Sequence, residues 1–396
     1  MSANRHLIRF INIGHTLDHV AVLIFPTAVL AMGPAFGLDY GTLLALSFGL
    51  VLAFGLGSIP AGWLGDRWSR RGMMAVFFIG MGLSLVLTGF ATSPWMLAGA
   101  LTLVGVFGSI YHPVGTALLV ESADRVGRAI GTNAVFGNAG IAGAAVMTGA
   151  LTAAFGWRAA FIVPGLICVG LGLAYLKLVP FATTAESAKG RPPGPPINRT
   201  DAIRALSALA ITSIVTSFAA HALMFAAPKL IEERVVWAGQ SVFWAGAAAT
   251  FVLACGAIAQ YSVGRTTDRY GVRLAFIPLA LGLAPAIFIT AFASGPMLLL
   301  GLALFAMASF GQVTVNDTII ARYTPDAWRG RAYAVRYLAA FGASSAAIPY
   351  LAGFHDQGGF QAAFHLMAMV ALVVIVAAII MPARRTDPAP ALQPAE

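Results

Sequence analysis

Long apolar segments recur along the whole chain and constrain its fold more than any other feature. Residues 74–92, with the sequence MAVFFIGMGLSLVLTGFAT, carry no charged side chain, and residues 367–382 are equally apolar. Each segment is near the roughly 20 residues that a helix needs to cross the hydrocarbon core of a bilayer. Hydrophobic residues make up 59% of the chain and charged residues only 10%, which excludes an ordinary water-soluble protein. The sequence therefore predicts an all-α membrane protein with about twelve transmembrane helices.

The predicted spans alternate with short connections. They cover residues 10–32, 42–63, 74–92, 95–119, 129–153, 157–178, 205–229, 241–264, 274–293, 296–321, 331–354 and 360–382. When the N-terminus is placed in the cytoplasm, every Lys and Arg except Arg158, Lys229 and Arg234 falls on the cytoplasmic side. This asymmetry predicts a multi-pass protein of the bacterial inner membrane with both termini cytoplasmic. The net charge of +9 is therefore attributed to topology, and no nucleic-acid partner is expected.

The two halves of the chain repeat each other at an offset of 202 or 203 residues. GWLGDR at 62–67 corresponds to GRTTDR at 264–269, and FGWRAAF at 155–161 corresponds to GGFQAAF at 358–364. VGRA and RGRA form a third match, at 126–129 and 329–332. The repeat predicts an N-terminal six-helix bundle, a polar cytoplasmic linker, and a C-terminal six-helix bundle with a short tail. Their predicted bounds are 1–179, 180–204 and 205–396.

A glycine- and arginine-rich motif follows the second span. It reads GWLGDRWSRRG and contains Gly62, Asp66, Arg67, Arg70 and Arg71. Together with the six-plus-six repeat, this motif resembles the major facilitator superfamily of secondary transporters. The resemblance implies two bundles that rock about a central site and give alternating access.

A weaker copy of the motif follows the eighth span, with Gly264, Asp268, Arg269 and Arg273. Glycine allows close helix packing, and Asp66 can pair with a basic residue or a helix N-terminus in one conformation and release it in another. These motif residues are therefore predicted to form a conformational latch. The alternative is that they are simply basic loops that orient the chain.

Three ionisable residues interrupt the first span, at His15, Asp18 and His19. Their i, i+3, i+4 spacing places them on one helix face, and that face is expected to line the cavity between the halves. His19 is followed seven residues later by Pro26, as His221 is by Pro228. The two histidines are therefore predicted to face each other, and the prolines to kink or end both helices.

Further polar residues lie within other spans. His112 precedes Pro113 in the fourth span, and Asp317 lies near the cytoplasmic end of the tenth, where Arg322 or Arg336 is an expected partner. The remaining candidates for substrate binding are Tyr111, Asn133, Asn138 and Met224. Amides inside a membrane usually form hydrogen bonds, which favours the two asparagines over the aromatic residues.

The polar cluster permits three interpretations. Asp18, His15 and His112 can bind and release a proton, with His19 and His221 lining the substrate cavity. Alternatively, His15 and His19 hold a transition metal such as copper, with Asp18, His112 or His221 completing the shell and Met224 as a soft ligand, and the metal or a metal chelate is imported. In the third interpretation, the polar groups only fix helix packing.

HTLDHVAVLIFP in the first span and GSIYHPVGTALL in the fourth resemble the fosmidomycin-resistance-type branch of the superfamily. This resemblance implies proton-coupled movement of a small organic solute and drug resistance, with efflux slightly favoured. The fifth span lacks the Gly-Pro pair of drug antiporters, which leaves import open. No HExxH or nucleotide-binding loop occurs, so neither an enzyme nor an ATP-driven pump is expected. The predicted protein is a monomer without a cofactor that works with a small-molecule substrate, protons and the lipid bilayer.

Overall fold

A computed structural model describes residues 2–123, 126–179 and 198–382 of the chain. All regular secondary structure in these ranges is helical. Twelve of the described helices are long and apolar enough to cross a membrane, which confirms the predicted fold class. Residues 180–197 of the predicted linker, and the tail beyond residue 382, lie outside the described residues.

Several of the spanning helices consist of more than one segment. In chain order they are α1 (Ser2–Leu23, continued by Phe25–Ala28 and a tight turn at Val29–Ala31), α2 (Tyr40–Ala45 and Phe48–Arg67), α3 (Arg70–Gly89), α4 (Pro94–Gly108, a wide π turn at Tyr111–Gly115, and Thr116–Ser122), α5 (Val126–Phe155), α6 (Trp157–Leu178), α7 (Arg199–Arg234), α8 (Val242–Tyr270), α9 (Val272–Phe292), α10 (Gly295–Tyr323), α11 (Asp326–Asp356) and α12 (Gln361–Ala371 and Val373–Ile380). A short helix at Gly33–Phe36 lies between α1 and α2.

The ends of α7 extend well beyond the predicted span 205–229. Asn198 caps its start, because its side-chain oxygen accepts hydrogen bonds from the backbone N–H groups of Thr200 and Asp201. The first turn is polar, so the hydropathy pattern did not place it within the predicted span. Most other predicted ends also fall a few residues inside the observed helices.

Prolines act differently in the two halves. Helix α1 is interrupted at Ile24, and Pro26 occupies the first turn of the segment that follows. Helix α7, in contrast, continues through Pro228 to Arg234, so this proline does not end its helix. In α4, Pro113 lies within the π turn. Proline cannot donate a backbone hydrogen bond, which accounts for a local widening at this point.

Successive helices run in opposite directions, so the molecule has two faces. The terminal face contains the start of α1, the α2–α3 connection, the start of α7 and the end of α12, where the Arg204 side chain donates to the Ile380 carbonyl. The opposite face contains the α3–α4 connection and the end of α7. There Arg158 of α6 donates to the Ala91 carbonyl, and Arg234 donates to the carbonyls of Thr290 and Ala291.

Glycines allow helices of the two halves to pack closely against each other. Gly246 of α8 lies against the Ala145 carbonyl of α5, and Gly149 of α5 lies against the Val242 carbonyl. The Val146 backbone N–H donates a 3.0 Å hydrogen bond to the Thr250 hydroxyl. A second seam joins α2 and α11, where Gly55 packs on Phe341. The α5–α8 contacts hold the halves together on the side of the opposite face, and the Gly55–Phe341 contact joins them near the middle of the helices.

Candidate functional site

Asp18 is a fully buried carboxylate in the middle of the N-terminal half. Neither of its oxygens forms a hydrogen bond with a described residue. His112 approaches from α4, with its Nε2 3.5 Å from an Asp18 oxygen. Gly108, one turn earlier on α4, leaves room for the carboxylate, because a side chain there would contact Asp18. The predicted neighbours Asp18 and His112 therefore lie together.

Three imidazoles surround the space next to this carboxylate. The ring centroids of His15 and His19 are 4.9 Å apart, and the His112 ring lies 5.4 Å from His15 and 5.6 Å from His19. One ring nitrogen from each histidine can be chosen so that all three lie within 4.8 Å of one another. This cluster follows from the i, i+4 spacing of His15 and His19 and from the π turn that carries His112.

His15 is held from behind by α5. Its Nδ1 donates to the Asn133 backbone carbonyl at 2.8 Å, which leaves Nε2 available to other groups. The Tyr111 ring stacks on its imidazole with a centroid distance of 4.9 Å and an interplanar angle of 20°. Gly137 supplies the space, since a Cβ at this position would come within 2.5–2.8 Å of the ring. The orientation of His15 is therefore fixed by groups from two other helices, α4 and α5.

Tyr111 and Asn133 lie behind the histidines and use their polar atoms within the protein. The Asn133 amide donates to the Asn12 side-chain oxygen at 3.0 Å and to the Tyr111 hydroxyl at 2.9 Å. The Tyr111 hydroxyl in turn donates to the Ile11 carbonyl. Asn138, five residues further along α5, is partly exposed and does not belong to this group of contacts. This arrangement suits Tyr111 and Asn133 to positioning His15.

His221 of α7 belongs to the C-terminal half, and the predicted pairing of His19 with His221 stays a prediction. Its Nδ1 contacts the Ser344 hydroxyl of α11 at 2.8 Å and the Ser217 carbonyl at 3.2 Å. Met224, one turn further on, packs instead against the small apolar cluster of Ala220, Leu253 and Phe310. Among the described His, Cys, Asp and Glu residues, the group with metal-ligand spacing joins His15 and His19 to His112 and does not include His221, so metal binding by His15, His19, His221 and Met224 stays a prediction.

The C-terminal half has a buried polar seam that the sequence analysis missed. The Thr212 hydroxyl hydrogen-bonds the Asn316 side-chain oxygen at 2.6 Å, and the Thr216 hydroxyl does the same with Gln312. The amide nitrogen of Gln312 is buried without a described partner. The sequence signal for this seam was the i, i+4 spacing of polar residues on both helices, with Thr212 and Thr216 on α7 and Gln312 and Asn316 on α10.

Asp317 is paired with a cation on the neighbouring helix. Its carboxylate forms an ion pair with Arg336 of α11, one of the two expected partners. Arg336 is only 7% exposed, whereas the Asp317 side chain is 41% exposed. Arg322, the other expected partner, lies 3.9 Å from Asp268.

The motif residues lie together at the terminal face. Asp66 receives two hydrogen bonds from Arg70, the shorter at 2.7 Å, and its side chain is 64% exposed. Arg70 also forms an ion pair with Glu121 at the end of α4, which the sequence analysis did not identify. Asp268 of the second copy is 85% exposed.

The remaining motif residues lie against neighbouring side chains. Gly62 packs against Pro113, which brings α2 close to the π turn of α4. Arg67 stacks over Trp63 with its guanidinium carbon 5.0 Å from the ring centroid, and Arg71 lies within electrostatic range of Tyr175. Arg269 stacks over Tyr270 at 5.1 Å.

The sequence model of the Major Facilitator Superfamily matches the chain twice, at residues 12–235 and 209–396. The chain belongs to this superfamily. It is therefore a multi-pass membrane transporter and not an enzyme, as predicted. No curated protein shows significant similarity to it in sequence.

Solved transporter structures share the fold at low sequence identity. A bacterial homologue of the human lysosomal transporter Spinster, in an inward-facing and occupied conformation, has a TM-score of 0.74 and 14% identity over 96% of this chain and 95% of its own. A D-xylose–proton symporter gives a TM-score of 0.72 and 16% identity, with 96% and 97% covered. The nucleoside transporter NupG gives 0.71 and 14%, with 95% and 99% covered.

Proposed function

We propose that this transporter moves a small organic solute by coupling it to protons, with Asp18 and His112 as the proton-binding pair. The observation that carries the proposal is the burial of Asp18, whose oxygens form no hydrogen bond with any described residue, with His112 Nε2 3.5 Å away. An ionised carboxylate is costly inside a membrane unless a cation faces it. The pair is therefore stable while it holds one proton, either on Asp18 or on His112, and loss of that proton leaves an ionised Asp18 that no cation faces, so a cycle of proton uptake and release changes the charge of the site.

The remaining polar residues are assigned by their position. We assign His15 to the proton-binding group with Asp18 and His112. Its Nδ1 donates to the Asn133 carbonyl and its ring stacks on Tyr111, which leaves Nε2 available to His19 and His112. His19 and His221 approach each other from the two halves, which suits them to contact the substrate. The name of one structural neighbour, a D-xylose–proton symporter, shows that the fold is compatible with proton coupling in that protein.

Alternating access in an inner membrane is the proposed mechanism. The contacts of α5 with α8 and of α2 with α11 close the opposite face, while the latch carboxylates Asp66 and Asp268 are exposed at the terminal face. With the basic terminal face in the cytoplasm, this arrangement corresponds to an inward-facing conformation. The latch motifs would form new contacts when the terminal face closes. Outward movement of the solute remains slightly favoured over uptake, on the resemblance of the first and fourth spans.

Metal transport receives less support than proton coupling. The three imidazoles of His15, His19 and His112 have suitable spacing, but the soft ligand Met224 packs in an apolar cluster. The cluster also lies beside Asp18, whose unbonded oxygens are explained by proton binding without a metal.

Transport assays in proteoliposomes with an imposed pH gradient test the proposal. Radiolabelled pentoses, nucleosides and copper are the first solutes, and a trapped pH-sensitive dye reports protons that move with them. Asp18→Asn is expected to abolish gradient-driven accumulation while solute exchange without a gradient continues. Asp201→Asn, which neutralises a carboxylate in the first turn of α7, is the matched control. Full gradient-driven accumulation by Asp18→Asn would refute the assignment of Asp18.

A further inference from the structure

We propose that Asp39 and Asp356 form a proton-dependent clasp that holds the two halves together at the opposite face. Asp39 precedes α2 in the N-terminal half, and Asp356 is the last residue of α11 in the C-terminal half. The Asp356 carboxyl group lies against Gly41, two residues after Asp39, which brings the two carboxyl groups within reach of each other. Asp18 lies at the middle of the first span, whereas the clasp lies at the opposite face, and the clasp acts on the conformation of the transporter without carrying the coupled proton.

The chemistry of two carboxyl groups makes this contact depend on pH. Two carboxylates can share a hydrogen bond only when one of them carries a proton, because each ionised group is an acceptor without a donor. Binding of one proton forms the O–H···O bond between the halves. Loss of that proton leaves two negative charges side by side, and their repulsion favours separation of the halves.

Asp39 is the acceptor of the clasp. The Thr42 backbone N–H donates to one of its oxygens at 2.8 Å, and the Thr42 hydroxyl donates to the other at 2.9 Å. These hydrogen bonds, the backbone one first, hold the pKa of Asp39 below its usual range. Asp39 therefore stays ionised as the pH falls, and Asp356 is the group that gains the proton and donates it to Asp39.

The backbone of α2 is shaped for this contact. Gly41 lies directly beneath the Asp356 carboxyl group, and a Cβ at this position would collide with it. Tyr40 fills the adjacent space, with its ring 4.7 Å from the His355 ring and its hydroxyl 3.4 Å from the Phe225 carbonyl. The absence of a side chain at Gly41 therefore permits a close contact between the halves at this point, although the Asp39 and Asp356 side chains are both exposed to solvent.

The other charged groups around the clasp largely neutralise one another. Lys229 of α7 is 2.7 Å from Glu232 and 3.6 Å from Glu233, and it also lies over the Tyr40 ring. Glu233 accepts from His355 Nε2 at 3.1 Å, and His355 Nδ1 is 3.9 Å from Asp356. All of these ion pairs lie within the C-terminal half. A positive charge on His355 would stabilise ionised Asp356 and would therefore oppose the clasp.

Pulsed electron resonance distances between two spin labels measure closure of the opposite face. Labels at Trp95→Cys and Val236→Cys, both strongly exposed at this face in different halves, are placed in a background with Cys168→Ala and Cys255→Ala. The protein is reconstituted in nanodiscs and measured between about pH 5 and pH 8. In the otherwise unaltered protein, the ratio of short to long distances is expected to rise about threefold as the pH falls.

Asp356→Asn supplies a permanent donor and should keep the short distance populated at every pH. Gly41→Ala should lower the short-distance population about threefold and remove most of its pH dependence, because it blocks the close approach. Glu232→Gln, which removes a carboxylate of the same face that does not join the halves, is the control and should behave like the unaltered protein. Asp39→Asn replaces Asp356→Asn if the latter is not monodisperse, and it should give the same result.

The clasp is overturned if Asp356→Asn and Asp39→Asn retain the pH dependence of the unaltered protein. The same labels in an Asp18→Asn background separate the two proposals. The effect of Asp356→Asn on the distances is expected to persist there, whether or not Asp18 carries the coupled proton.

Discussion

The Asp18 carboxylate and the His112 imidazole approach to 3.5 Å, although they belong to α1 and α4 of the same half. A pair within one bundle keeps its geometry when the bundles rock against each other, because packed helices move as rigid bodies. What changes between conformations is then the access of water and substrate to the pair. His19 and His221, in contrast, belong to different halves, so their separation changes as the cavity opens and closes.

Removing the imidazole partner should uncouple transport without stopping it. His112→Gln keeps a polar side chain of similar length but cannot take up a proton beside Asp18. We expect gradient-driven accumulation to fall at least about tenfold, while exchange without a gradient stays within about twofold. The assay compares both modes in the same proteoliposomes. Equal losses in both modes would indicate that His112 binds substrate and does not carry the proton.

The space that Gly137 leaves for His15 provides a second test. Gly137→Ala would push a methyl group into the imidazole and disturb its hydrogen bond to the Asn133 carbonyl. Overpacking of this kind typically costs about 1–3 kcal/mol. We expect a shifted pH profile of transport and a lower melting temperature. Gly143→Ala on the same helix is the control, since a Cβ there meets open space. An unchanged pH profile for Gly137→Ala would argue against a role for the orientation of His15.

The fold was predictable because membrane spans and repeats leave strong periodic signals. The apolar runs located twelve helices, and the matching residues around Asp66 and Asp268 indicated the six-plus-six arrangement. Helix ends were less predictable, since the polar first turn of α7 is stabilised by the Asn198 cap and not by hydropathy. The break in α1 near Pro26 and the continuity of α7 through Pro228 also depend on tertiary packing.

The site was predictable where residues share one helix face. His15, Asp18 and His19 follow from their spacing, and the repeat related His19 to His221. The roles of Tyr111 and Asn133 depend on how α4 and α5 are rotated against α1, which one sequence does not reveal. The hydrogen bonds between the threonines of α7 and the amides of α10 were not predicted. Threonine is common in membrane helices, and the sequence does not show which residue on another helix it contacts.

The α5–α8 seam should control which face is closed. Gly246→Val would place a side chain against the Ala145 carbonyl, and backbone cannot move aside as a flexible side chain can. We expect the opposite face to open, with cysteine reagents reaching Phe243→Cys at least about threefold faster than in the parent protein. Gly282→Val on α9, where a Cβ meets nothing within 4 Å, is the control. Unchanged labelling in Gly246→Val would mean that the seam does not set the conformation.

The polar seam between α7 and α10 should contribute to stability. Thr216→Val removes the hydroxyl that hydrogen-bonds Gln312 at 2.6 Å, and it leaves that side chain buried without its partner. Hydrogen bonds between membrane helices average about 0.6 kcal/mol, so the melting temperature should fall by about 1–2 °C. Thr212→Val should act similarly through Asn316, and the two effects should be close to additive because each threonine has its own amide partner. Thr216→Ser keeps the hydroxyl and should melt close to the unaltered protein. If Thr216→Ser loses stability in thermal unfolding while Thr216→Val does not, the methyl group and not the hydrogen bond is what stabilises the seam.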